Sequence, residues 1–373
     1  MAEATKTSGR LKTYLGYAAG VGKTYQMLEE GQQLKAKGVD VVIGYFEPHG
    51  RQDTIARTEG LEIVPRQIIE YRGARFDEMD TPAILWRRPE VCLVDELAHT
   101  NVPGSERAKR WEDVIVLLDA GIDIITTMNV QHLESLNDQV WQITGIRVRE
   151  TLPDWVLKQA DEVVMVDLPP AALLNRLARG AVYAPDKAER ALQYFFKESN
   201  LVALREIALR QTAHEVDLRQ PQVPGVPDHD APKAARAGPA AGPERILVHI
   251  TPDANTAILL RRARRVADYL RADCLAVHIA EAGDSKRSSA AEREALAKHL
   301  NFARHLHVET RVLDSEDAAE ALVNFARSRK VTQIYMARPR YSLAKRIAGN
   351  FIHRVVRLAG DMQVIIVAEH RGR

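Results

Sequence analysis

The sequence predicts an α/β protein made of two parallel-sheet domains joined by a linker. Three observations predict it. Short apolar runs alternate with amphipathic helical stretches from residue 11 to about 168, the alternation gives way to a Pro-, Ala- and Gly-rich stretch at 221–243, and it resumes from 244 to the end. Alternation of this kind builds parallel strands connected by covering helices. A chain of 373 residues that is 46% hydrophobic can bury more than one core.

Taken in order, residues 1–10 are polar with no apolar centre, which reads as a disordered tail and not as a signal peptide. The strand candidates of the first domain, 11–220, are 11–16, 39–46, 91–95, 123–128 and 162–167. Gly38 and the pair Ala120-Gly121 stop helices directly before the second and fourth of these. After Pro169-Pro170 the pattern turns helical, with Leu173, Leu177, Leu192, Phe195, Phe196, Leu201, Leu204 and Leu209 spaced for two or three helices packed on the sheet or a partner. Residues 221–243 hold no bulky hydrophobe beyond two valines, so they cannot offset the entropy of ordering and read as a flexible linker. Beyond it, strands at 245–250, 274–280, 308–313, 333–337 and 363–368 alternate with helices at 255–272, 290–305, 318–328 and 343–358, which makes 244–373 one doubly wound domain.

Charge and cysteine usage narrow the class. Lys and Arg total 52 against 50 Asp and Glu, a net charge of +2, so nothing in the overall field favours nucleic acid or an anionic membrane. Cys92 and Cys274 sit in separate apolar runs, as small buried hydrophobes of a reducing compartment do. No stretch approaches the ~18 apolar residues that span a bilayer. The expectation is a soluble cytoplasmic chain.

The chemistry begins at the end of the first strand. Gly20-Val21-Gly22-Lys23-Thr24 lies between that strand and a helical stretch at 24–36, and strand, glycine turn and helix in that order form a phosphate cradle. Glycines let successive N–H groups, here those of Gly20, Val21, Gly22, Lys23, Thr24 and Tyr25, turn toward one anion. Lys23 can reach the β and γ phosphates, the Thr24 hydroxyl can ligate Mg²⁺, and the helix adds its positive end. Tyr17 stands where strict P-loop spacing asks for glycine, with Gly16 one step earlier. The run Val91 to Val94 reads as a buried parallel strand that ends on Asp95 and Glu96. With a phosphate loop, Asp95 becomes the outer partner of Mg²⁺, through water, and Glu96 the carboxylate that polarises a water or hydroxyl. Lys23 and Glu96 are therefore the catalytic candidates, and ATP and Mg²⁺ the expected cofactors. His99 and Asn101 follow in a turn-rich loop that could face the nucleotide. Asn129, Gln131 and His132 close the fourth strand as candidate reporters of the γ phosphate. His49 and Arg51 are further candidates, while Arg107, Lys109 and Arg110 read as a solvated helix start.

Together the motifs GYAAGVGKT at 16–24, EPHGR at 47–51, DELAHTNVPGS at 95–105, TTMNVQHLESLND at 126–138 and NLVALRE at 200–206 resemble the N-terminal cytoplasmic region of the KdpD-type potassium sensor kinases, over residues 9 to 220. The second domain is similar to universal stress proteins. The resemblance implies an ATP- and Mg²⁺-binding sensory module of a potassium-responsive two-component system. Its partners would be sensor kinase parts, a response regulator or a potassium pump. Full-length sensors of that kind continue into transmembrane helices, a phospho-accepting histidine and a kinase domain, so this chain is expected to be a short form or a fragment with no histidine kinase activity of its own. The alternatives are a slow ATPase or phosphotransferase acting on Ser or Thr of a partner, and a nucleotide-free scaffold. In the second domain Thr251 stands where universal stress proteins commonly carry Asp, with Asp253 two residues on, and Ala337-Arg338-Pro339-Arg340 replaces their Gly-x-x-Gly. Close backbone approach to a triphosphate is thereby lost. Arg338 and Arg340 remain as an anion site for a cyclic dinucleotide or a partner protein; the alternative, which is preferred, is that the domain is structural or protein-docking.

Overall fold

A computed structural model describes residues 8–182, 195–219, 244–281, 289–337 and 346–367. The linker at 221–243 and the segment holding Arg338 and Arg340 lie outside the described residues. The chain divides into two compact units, Met1–Gln220 and Pro221–Arg373.

The first unit contains strands β1 (Leu11–Gly16), β2 (Val41–Tyr45), β3 (Glu62–Ile63), β4 (Gln67–Tyr71), β5 (Ala74–Glu78), β6 (Val91–Val94), β7 (Asp123–Asn129) and β8 (Glu162–Met165). Its helices are α1 (Lys23–Ala36), α2 (Gln52–Ile55), α3 (Thr81–Arg87), α4 (Arg110–Asp119), α5 (Asn137–Thr144), α6 (Asp154–Lys158), α7 (Pro170–Ala178) and α8 (Glu198–Arg219). Six strands form one sheet in the order β3-β2-β6-β7-β1-β8, and every pairing within it is parallel. β6 shows why the runs are apolar: all four of its side chains are buried, each worth about 1.5–3 kcal/mol relative to exposure. Asp80 starts α3 by accepting the Ala83 N–H at 2.8 Å, and Pro82 sits in the first turn where its missing donor costs nothing.

One part of the unit departs from plain βα alternation. β4 and β5 pair antiparallel as a separate hairpin, in a stretch for which the sequence pattern predicted no strand. Its residues are mostly exposed or half-buried, so no apolar run announces it. Glu78, the last residue of β5, is buried.

The second unit contains β9 (Arg245–His249), β10 (Asp273–Glu281), β11 (Glu309–Ser315), β12 (Gln333–Ala337) and β13 (Gln363–Val367), with α9 (Asn255–Leu270), α10 (Ala290–His305), α11 (Ala318–Ser328) and α12 (Arg346–Ala359). The sheet order is β11-β10-β9-β12-β13, all parallel. Alternate residues of β9 feed opposite cores: Ile246 and Val248 join one cluster and Leu247 the other. The predicted doubly wound sheet is thus present, with a core on each face.

Candidate functional site

Parallel pairing brings the C-terminal ends of all strands to one edge of the first sheet. Gly16 of β1 lies level with Asn129 of β7, and Val94 of β6 with Thr126 of β7. Residues read from separate motifs therefore meet in one open cleft, lined from the glycine turn and α1 by Ala19, Lys23 and Thr24, from the loop after β2 by His49 and Arg51, and from the end of β6 by Asp95 and Glu96. β7 and its continuation add Thr127, Asn129 and His132.

The glycine turn takes the backbone shapes the motif requires. Gly20 and Gly22 have φ of 89° and 112°, a region that side chains make costly. Gly22 caps α1 with no side-chain hydrogen bond and no acid in the first turn, so the positive end of a 14-residue helix faces the loop. Tyr17, the residue that breaks the spacing, is fully buried, and its hydroxyl donates to the Leu168 carbonyl at 2.6 Å. Gly16 does the work the motif assigns to a glycine: a Cβ there would come within 2.9 Å of Lys23 Cδ and 2.7 Å of Val21 Cγ2.

Lys23 is only 7% exposed. Its ammonium donates to the Ala18 carbonyl at 3.2 Å and to Asn129 Oδ1 at 2.6 Å. Among the described residues no carboxylate bonds to it. Burial pulls its pKa down to about 8, against the opposing pull of Asp95, and Arg51 lowers it further. Thr24 Oγ1 donates to Asp95 at 3.1 Å, and Thr127 Oγ1 to the same carboxylate at 2.5 Å. Asp95 is 2% exposed, and burial raises its pKa although both hydroxyls and Lys23 oppose the rise.

Glu96 occupies the left-handed region at φ 55°, a conformation costing roughly 1–3 kcal/mol that survives only where surroundings hold it. Its N–H reaches Thr127 Oγ1 at 3.2 Å, its carbonyl accepts from the His99 N–H at 3.0 Å, and its carboxylate meets His49 Nε2 at 3.0 Å. Burial works against its charge, but the His49 hydrogen bond, with Arg110 and His99 adding to it, keeps the carboxyl below its ordinary pKa. His132 also lines the cleft; its Nδ1 lies 2.7 Å from the Glu150 carbonyl, and burial depresses its pKa.

Other expected residues lie elsewhere. Tyr25 pairs with Arg57, whose guanidinium stacks 4.6 Å from the ring centre. Asn101 turns from the cleft to bond Asp113 at 2.7 Å and the Arg107 carbonyl at 3.1 Å. Gln131 does not line the cleft, and its side-chain oxygen is buried with no hydrogen-bond partner among the described residues. His99 does line it, between Glu78 at 3.1 Å and Glu150 at 3.6 Å. Thr251 in the second unit accepts at its carbonyl from His299 Nδ1 at 2.9 Å.

Arg110 corrects the expectation of a solvated helix start. It is 0% exposed, lies 3.5 Å from the Tyr45 ring centre, reaches Glu78 at 3.4 Å and donates to the Asp95 carbonyl at 3.2 Å. Buried cation, ring and carboxylate together brace the turn that carries Asp95 and Glu96. Sequence spacing gave no sign of this, because Tyr45, Glu78 and Arg110 come from three separate elements. Thr127 was equally hidden in the strand run. Its position beside Asp95 follows only from the β6–β7 register.

The fold and cleft define a two-unit α/β protein whose first sheet gathers a buried lysine, a hydroxyl and two carboxylates at one edge. The family profile described as "KdpD: Osmosensitive K+ channel His kinase sensor domain" matches residues 7–216, and the chain belongs to the KdpD family. It is 43% identical over 363 residues to the putative sensor protein KdpD of Synechocystis, covering 96% of this chain and 94% of that protein. It is also 43% identical over 360 residues to the sensor protein KdpD of Escherichia coli, covering 96% of this chain and 39% of that longer protein. Against the sensor protein of Mycobacterium tuberculosis H37Rv it is 42% identical and spans 41% of the length. Solved structures similar to part of the chain include a universal stress protein in complex with cAMP (TM-score 0.28, 17% identity, 35% of this chain and 100% of that one). Another is a universal stress protein from Archaeoglobus fulgidus (TM-score 0.26, 20% identity, 33% and 92%). No helix among the described residues is long and apolar enough to cross a membrane.

Proposed function

We propose that the first unit binds ATP with Mg²⁺ and acts as the cytoplasmic sensory module of a potassium-responsive two-component system. One observation carries the reading: the buried Lys23 ammonium, at a glycine turn and an uncapped helix start, has only neutral oxygens as hydrogen-bond partners among the described residues. A buried cation without a bonded anion is costly, and a polyphosphate would supply the anion. Thr24 and Asp95 offer the hard oxygens that suit Mg²⁺, hydroxyl directly and carboxylate through water. Bound there, the ion would neutralise phosphate charge. The family name brings the potassium signal, with sensor kinase parts, a response regulator or a potassium pump as protein partners.

Calorimetric titration of the full chain with Mg-ATP, alongside Lys23→Ala, tests the binding. Wild-type binding weakened at least about tenfold in the variant is expected, since a charge-assisted hydrogen bond is worth ~1.5–3 kcal/mol. Equal affinities would remove the reading. A second reading, slow hydrolysis or phosphoryl transfer to a hydroxyl, is favoured by Glu96, a carboxylate in the cleft held ionised beside His49. Release or transfer of label from γ-labelled ATP that Glu96→Gln abolishes would support it. Binding without turnover would leave the module a switch.

A further inference from the structure

We propose that Asn129 is the positioning residue of Lys23 and a second ligand of the phosphate that Lys23 reaches: its amide holds the ammonium in place without neutralising it and offers its own N–H groups to the same anion. The inference rests on the nucleotide reading above. Asn129 closes β7 level with Gly16 of β1 and lines the cleft beside Lys23. Its Oδ1 accepts from Lys23 Nζ at 2.6 Å, the shorter of the two hydrogen bonds that the ammonium makes among the described residues.

That contact fixes the orientation of the amide. An ammonium has three donors and no acceptor, so the side chain must present its oxygen to Lys23 and turn its NH₂ the other way. The amide nitrogen has no hydrogen-bond partner among the described residues and is not enclosed, so its two donors open on the cleft. Oxygen and nitrogen share one carbon, which keeps Nδ2 within about 5 Å of the ammonium. The ammonium spends two of its N–H groups on Ala18 and Asn129 and has a third with no partner among the described residues. That third N–H and the amide donors are near enough to bond oxygens of one phosphate group. An aspartate has the same shape as asparagine, but at 2.6 Å from the ammonium it would form an ion pair, take the place of the incoming anion and repel it. The amide instead orders the lysine and leaves its charge uncompensated.

The test is calorimetry with Mg-ATP and urea unfolding at pH 7, on the full wild-type chain, Asn129→Ala and Asn129→Asp. Asn129→Ala is expected to weaken Mg-ATP about tenfold, through the lost donors and a less firmly held ammonium. Asn129→Asp is expected to weaken it at least about a hundredfold, since an anion then sits beside the lysine in place of the phosphate. Urea midpoints should take the opposite order, Asn129→Asp at or above Asn129→Ala, because the carboxylate pairs the buried ammonium while alanine leaves it one partner short. A side chain that merely fills space would not produce that crossing of affinity and stability. Asn129→Asp binding as tightly as Asn129→Ala, either variant matching the wild type, or a midpoint of Asn129→Asp below that of Asn129→Ala overturns the inference, while wild-type binding keeps the nucleotide reading. A wild-type chain that binds no Mg-ATP overturns the nucleotide reading, and this inference falls with it.

Discussion

Lys23 concentrates the tension of the site in one residue. Its folded pKa of about 8 lies below the ordinary 10.5 because of burial, so between those values the unfolded chain holds more protons than the folded one. Stability contributed by this group therefore rises with pH across that window, and the full cost of burying the ammonium is present below about pH 8. Lys23→Met removes the cost and keeps the aliphatic stem that fills the space left by Gly16. It is expected to stabilise the ligand-free protein by about 1–3 kcal/mol at pH 7, with the gain shrinking by more than half near pH 9.5. Urea midpoints at the two pH values measure this; a gain that does not change with pH would contradict it. A buried cation whose removal stabilises the protein is a residue kept at a cost in stability. Lys23, Thr24, Asp95 and Glu96 were legible because their chemistry depends on neighbours in sequence. Arg110 was not, since its burial depends on Tyr45 and Glu78, which reach it only through the tertiary fold.

At the scale of elements, apolar runs and glycine stops located the central strands because those strands are buried on both faces and must be continuously apolar. β2 is shorter than its run, Val41–Tyr45, and β3, the hairpin β4–β5 and the short helices between them carried no such signal. Their residues face solvent on at least one side, where composition is weakly constrained. α1 offers a test of how tightly the glycine turn's helix is seated. Gly31 lies in its middle, a position where alanine ordinarily helps a helix by ~1 kcal/mol. Here a Cβ would come within 2.5 Å of Leu93 Cδ1 on β6. Gly31→Ala is therefore expected to destabilise by about 1–3 kcal/mol, the usual range for overpacking. A thermal midpoint at or above wild type would mean that Leu93 can yield and that α1 is seated less closely.

For the whole molecule, the consequential fact is that each unit closes its own hydrophobic core: residues 11–208 in the first, and two clusters on the faces of one sheet within residues 246–367 in the second. Cores that share no residues can unfold independently, and a ligand that binds one native unit stabilises that unit alone. Scanning calorimetry of the full chain is expected to resolve two transitions, of which Mg-ATP moves only one. At a free concentration of about 100 times Kd the ligand adds ~2.7 kcal/mol, which for a unit of this size raises its midpoint by roughly 5–11 °C. In Lys23→Ala neither transition should move. Two transitions that shift together would show that nucleotide occupancy is transmitted across the chain even in the isolated protein, making the second unit part of the switch. A shift of the second transition alone would place the nucleotide there, in spite of the lost Gly-x-x-Gly loop, and would detach the buried Lys23 cleft from the function proposed for it.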